Sequence, residues 1–80
     1  MSFTFKQRFK RKYVSSRIIC FYEYEKKTGT LRIGFNDGII ANFENIPNDL
    51  INQFESASSK GKFFNHNFRN AGYKYSLEPI

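Results

Sequence analysis

The chain has no tryptophan, one cysteine (Cys20), one histidine (His66) and, in its first 17 residues, no acidic side chain at all. A single cysteine excludes an internal disulfide and any cysteine-rich zinc site. A nucleophilic thiol needs a neighbouring base to lower its pKa. Cys20 instead lies in the apolar run Ile18-Ile19-Cys20-Phe21, where a thiol acts as a small, inert hydrophobe. Long apolar runs are missing too. No stretch approaches the roughly 20 apolar residues of a membrane span, and no apolar segment follows the N-terminal charges as it does in a signal peptide. The expected compartment is the cytoplasm.

Eighty residues make one domain, near the size at which a chain buries only about 60% of its unfolded surface. With no tryptophan, ten phenylalanines and five tyrosines must carry much of the core, each able to bury about 150–250 Å². That aromatic content argues for a packed globule over a disordered chain.

The charge is unevenly divided. Residues 1–17 hold Lys6, Arg8, Lys10, Arg11, Lys12 and Arg17, whereas residues 18–80 hold seven basic and seven acidic side chains. The whole excess of +6 therefore sits on the N-terminal segment, which favours an anionic partner. Phe3 and Phe5 alternate as in a strand, while Phe5, Phe9 and Tyr13 recur at helical spacing; neither run is long enough to decide. Residues 1–12 read as a basic arm, residues 13–76 as the domain and residues 77–80 as a tail.

From Ile18 the pattern has a period of two. Ile18, Cys20, Tyr22 and Tyr24 would share one strand face, with Ile19 and Phe21 on the other. Lys26-Lys27-Thr28-Gly29 is a polar turn, and Thr30 to Phe35 alternates with Leu31, Ile33 and Phe35 inward. Asn36-Asp37-Gly38 signals a tight hairpin, and Ile39 to Phe43 returns as a third strand. Ile46-Pro47 opens a helix with Asp49 near its positive end and Leu50, Phe54 and Ala57 as the apolar stripe. Ser58 or Ser59 ends this helix or caps the next, on which Phe64 and Phe68 lie one turn apart and Asn70-Ala71-Gly72 makes the stop. The fold class is thus α+β: a three-stranded antiparallel meander packed by two C-terminal helices.

The order and spacing of these pieces resemble the KTSC domain, a small module named for the C-terminus of some lysyl-tRNA synthetases and also found free-standing. The resemblance rests on Tyr13-Val14-Ser15-Ser16-Arg17-Ile18, on Thr30 to Phe35 with Asp37-Gly38, and on Ile46-Pro47. It is strongest from Ala57 to Asn65, followed by Arg69 and Tyr73-Lys74-Tyr75. Where the family tends to carry Tyr-x-Tyr on its third strand, this chain has Ala41-Asn42-Phe43, and Ala41 cannot stack on a ligand. The stretch Phe21 to Glu25 also holds one residue more than the family pattern, as a bulge would. The resemblance implies no established reaction; RNA binding is associated with the family through the synthetase.

Two segments are candidate sites. In the arm, Lys6, Arg8, Lys10, Arg11 and Lys12, with Arg17 beyond, could neutralise phosphates while Phe3, Phe5 and Phe9 stack on unpaired bases. The same composition also fits a solvated tail or a basic membrane-surface or protein contact. At Ser59-Lys60-Gly61-Lys62, a helix start with glycine and two lysines could hold an anion, although a serine cap, with Gly61 making room where two helices meet, explains those residues without any ligand and is the favoured reading. It lacks the spacing of a nucleotide-binding P-loop. Ser15 and Ser16 read as turn formers, His66 and Arg69 as a pair on the second helix, and Glu23 and Glu25 as a polar strand face. No set has the spacing of catalysis, and neither a metal nor a cofactor is expected. The expected function is non-enzymatic binding of RNA or single-stranded nucleic acid through the arm. The alternative is a small adaptor or inhibitor, of the kind mobile elements encode, on an acidic surface of a larger protein.

Overall fold

The computed structural model describes residues 10–79. Five strands follow one another in an antiparallel sheet: β1 (Lys12–Tyr13), β2 (Ile19–Glu25), β3 (Thr30–Phe35), β4 (Ile39–Phe43) and β5 (Tyr75–Pro79). Between β4 and β5 the chain leaves the sheet for two helical elements, α1 (Asn48–Ser56) and α2 (Lys60–Phe64). α2 runs on directly as a π-helical stretch over Asn65–Arg69. The expected three-strand meander is therefore the centre of a five-strand one, and the helices are inserted before its last strand. Lys12, read as the end of the arm, belongs to β1, and the residues read as a tail from 77 onward form most of β5 as far as Pro79.

The sheet faces follow from β2. Ile19 pairs with Phe35, Tyr22 with Ile33 and Tyr24 with Leu31, and the register shifts between Ile19 and Phe21. The bulge falls at Cys20, earlier than the sequence placed it. It moves Ile19 onto the same face as Tyr22 and Tyr24 and leaves Cys20 half-buried, while Ile18 is outside the strand and exposed. An extra residue in one strand inverts the alternation upstream of it, so uninterrupted counting from Ile18 put Ile18 and Cys20 on the wrong face. Downstream, β3 behaves as its alternation requires, and Gly38, with φ +92°, closes the hairpin to β4.

The helices cover one face of this sheet. Pro47 stands just before α1 in extended conformation, its carbonyl accepting from the Leu50 N–H at 3.0 Å. Ile51 joins Phe54 as a buried residue of α1, Leu50 is half-buried, and Ala57 lies past the helix end. Phe54, fully buried, packs edge-on against Tyr22 with ring centroids 5.0 Å apart and against Phe68 at 5.6 Å. Phe64 and Phe68 in turn meet Phe43 on β4 at 5.8 and 6.1 Å.

The opposite face is polar at its centre. Glu23, only 1% exposed, accepts from Arg11 through one oxygen and from Arg32 at 3.0 Å through the other. Arg32 continues to Glu78 at 2.7 Å and to Asn42 at 3.0 Å, tying β2, β3, β4 and β5 together. Beside this network Phe21 lies over Gly34, where any Cβ would overlap the ring.

The core makes a quantitative demand. Phe54→Ala removes the ring that joins α1 to both β2 and the second helical element, and should cost about 3–5 kcal/mol. Urea or guanidinium titration reads this directly, as a fall in the midpoint at unchanged slope.

Candidate functional site

Two openings flank the helical layer. The first lies on the β1 side, in a pocket of about 220 Å³. Lys10, Lys12 and Lys26 are on its lining together with Tyr22, Tyr24, Asn48, Ile51, Asn52 and Glu55. Strand pairing places Lys12 opposite Tyr22, so its side chain emerges on the helix-bearing face. There it pairs with Glu55 of α1 at 3.1 Å. Tyr22 donates its hydroxyl to the same carboxylate oxygen at 2.6 Å. Those two hydrogen bonds hold the Glu55 carboxyl below its ordinary value of 4.5, the Tyr22 bond contributing most. The Tyr22 phenol moves the other way, pushed well above the ordinary value by burial and by that acidic partner. Tyr24 donates to the Ile46 carbonyl at 2.7 Å. Both rings are thereby fixed in place, with the Lys12 ammonium 6.0 Å from the centre of the Tyr22 ring. Three ammonium groups against one carboxylate leave the pocket positive.

The second opening is a groove of about 650 Å³ on the β4–β5 side of the same face. It exists because the helical layer reaches only as far as Phe64, whose ring packs on Phe35 at 5.1 Å. Beyond it β5 continues the apolar surface with nothing among the described residues on top: Tyr75 is 54% and Leu77 62% exposed. Their register partners on β4 are Phe43 and Ala41. Ala41 adds no bulk to the floor, and the ring absent there is supplied one strand away by Tyr75, tilted against Phe43 at 5.4 Å. Arg17 and Arg69 are on the lining, and neither forms an ion pair among the described residues.

The residues expected to form a site are thus distributed as follows. Lys6 and Arg8 lie outside the described residues, as do Phe3, Phe5 and Phe9. Lys10 and Lys12 line the lysine pocket. Arg11 is turned to the opposite face, where its guanidinium lies 3.9 Å from the centre of the Phe21 ring and pairs with Glu23, which raises its pKa further. Arg17 reaches the groove.

Three residues of the Ser59–Lys62 turn, Ser59, Lys60 and Gly61, have a structural task. Ser59 accepts from the Lys62 N–H at 3.3 Å as the cap of α2. Lys60 donates to the carbonyls of Glu55 and Ala57, at 3.2 and 2.8 Å, and so closes the end of α1. A Cβ on Gly61 would come within 3.1 Å of Ile18. Lys62 is exposed. Ser16 accepts from the N–H groups of Ile18 and Ile19, both at 3.3 Å, and makes the turn expected of it.

Lys26, Asn48 and Asn52 escaped the sequence reading because they come from a turn and a helix far from the arm. Leu77 escaped because it was read as part of the tail, and Tyr75 because it was read for its place in the domain and not as a strand residue. Their alternation, Tyr75-Ser76-Leu77-Glu78, was the signal that could have found them.

A five-strand antiparallel meander with a helix pair inserted before its last strand defines a small α+β class. The chain belongs to the KTSC domain family, which matches residues 15–75. It is similar to the crystal structure of a KTSC domain protein from Yersinia pestis, with 28% identity and a TM-score of 0.77, over 90% of this chain and 97% of that one. No curated protein matches it. No helix among the described residues is long and apolar enough to cross a membrane.

The lowered Glu55 pKa sets a pH dependence. A carboxylate with a depressed folded pKa contributes stability that is fully present above its unfolded value and lost as pH falls through the folded one. The stability difference between the native chain and Glu55→Gln should therefore be constant above pH 4.5 and shrink below it. Denaturation midpoints measured between neutral and acid pH check the trend.

Proposed function

We propose that this domain is a non-enzymatic binding module for single-stranded nucleic acid, RNA foremost, and that its phosphate contacts centre on the lysine pocket and the basic segment leading into it. The observation that carries the reading is the shared pocket of Lys10, Lys12 and Lys26 beside Tyr22 and Tyr24, the first two lysines belonging to residues 1–17, whose sequence holds six basic and no acidic residues. Positive charge neutralises phosphates, and the partly exposed Tyr24 ring offers an unpaired base a place to stack, while Tyr22 belongs to the core. Asn48 and Asn52 add neutral donors for phosphate or sugar oxygens.

The assignment of arm residues is narrower than the composition alone implies. Arg11 neutralises Glu23, which is shielded from solvent. Losing Arg11 would leave this buried carboxylate with Arg32 as its remaining guanidinium partner, and losing Lys12 would take half of β1. Removing residues 1–12 would therefore weaken folding along with binding, and charge substitutions at exposed positions are the cleaner probe.

Lys10→Glu and Lys26→Glu alter exposed side chains and should leave folding intact. If both lysines hold phosphates, the slope of log K against log salt for a single-stranded RNA should become shallower by about 0.7 for each phosphate no longer neutralised. Fluorescence anisotropy with a labelled oligonucleotide over a range of salt concentrations reads this. Binding of both variants with the native slope would contradict the reading. A partner retained on the native chain after nuclease treatment, with no RNA affinity, would favour the adaptor alternative.

A further inference from the structure

We propose that the groove on the β4–β5 side takes one unpaired nucleotide, its base against Tyr75 and Leu77 and its phosphate at Arg17 and Arg69. This rests on the nucleic-acid reading and gives it a base-binding subsite separate from the lysine pocket. A groove of about 650 Å³ lies within the roughly 300–1,000 Å³ of small-ligand sites, and its floor is built from the core rings themselves. Tyr75 is held by its contact with Phe43, 5.4 Å between centroids, yet keeps 54% of its surface exposed. A flat heteroaromatic ring has a partner there that needs no ordering on binding, because the strand pairing of Tyr75 to Phe43 already positions it.

Charge selects the anionic end of the ligand. Among the described residues on the lining, the charged ones are Arg17, Arg69 and Asp37. Asp37 is occupied within the hairpin, where its carboxylate accepts from the Ile39 N–H at 3.2 Å. The two arginines have no such internal partner among the described ion pairs. Guanidinium groups match phosphate oxygens in planar, two-donor fashion. The π-helical stretch bears on this: its Asn70 N–H reaches back to the Asn65 carbonyl at 3.1 Å. A π turn holds more residues than an α turn, so Arg69 leaves the element at an angle that a continuous α-helix would not give it. An apolar peptide would leave both guanidiniums without a counter-charge; a nucleotide satisfies floor and rim together.

The test uses the whole chain, isotopically labelled, titrated with adenosine monophosphate and separately with inorganic phosphate. Saturable amide shifts at Arg69 and at Tyr75–Leu77 are expected with the nucleotide and not with phosphate alone. Tyr75→Ala should weaken binding at least tenfold. Leu77→Glu should do the same by replacing the apolar contact under the base with a charge, and because Leu77 is 62% exposed its thermal midpoint should match the native one. Shifts confined to Lys10, Lys12 and Lys26, or equal affinities for all three proteins, would overturn the groove assignment. So would a concentration-dependent dimer joined along β5 that ignores the nucleotide. The two readings fail separately. Long RNA bound with its salt slope intact, while the mononucleotide leaves the groove unmoved, removes the groove alone. Mononucleotide binding in the groove without any affinity for long RNA removes the nucleic-acid function and keeps the site.

Discussion

The contact on which the rest of this structure depends is the meeting of Phe54 and Phe68. Both rings are fully buried, and their centroids lie 5.6 Å apart. Phe54 fixes α1 to β2 through Tyr22, and Phe68 fixes the second helical element to β4 through Phe43. Ring pairs of this geometry add about 0.5–1.5 kcal/mol beyond area burial. In a domain this small they also decide where the helical layer begins and ends. Because the layer is anchored over β2, β3 and β4, it leaves an opening at each side, positive toward β1 and apolar toward β5. The candidate sites are consequences of that placement.

The two faces of the sheet divide the work. On the helix-bearing face aromatic packing supplies cohesion and leaves side chains at its margins accessible. On the other face a carboxylate and two guanidiniums do what a second apolar layer would do in a larger protein. Glu23 between Arg11 and Arg32 draws β1 toward the middle of the sheet, and Arg32 extends the tie to Glu78 on β5. Asn42 donates to Glu78 as well, and with Arg32 it keeps that carboxyl ionised to lower pH than usual. Both edge strands, short and individually weak, are thereby linked through side chains as well as through backbone pairing.

The central hairpin and the helix pair were legible in the sequence because their signals are local: strict alternation in Thr30–Phe35, Asp37-Gly38 at the turn, Phe64 and Phe68 one turn apart. The edge strands were not. β1 has two residues and therefore no period to read. β5 alternates, but its apolar members Tyr75 and Leu77 remain exposed and it ends at Pro79, which an edge strand tolerates because it leaves one row of N–H groups unused. The bulge at Cys20 inverted one face for the reason any inserted residue does. Of the sites, the excess of basic residues was plain and their placement was not. Arg11 and Arg17 are six positions apart in sequence, yet they lie on the outer face and in the groove respectively. The groove joins residues between 17 and 77, and no window of sequence shows it.

The central claim is that single-stranded nucleic acid contacts the margins of the helix-bearing face. Zero-length ultraviolet cross-linking of a single-stranded RNA to the native chain, followed by peptide mapping of the adducts, tests it most directly. The account predicts adducts at Tyr75 and in the peptides that carry Lys10, Lys12 and Lys26. Adducts only around Tyr13 and Phe21 on the opposite face, or none above the level of a non-binding control protein, would contradict it.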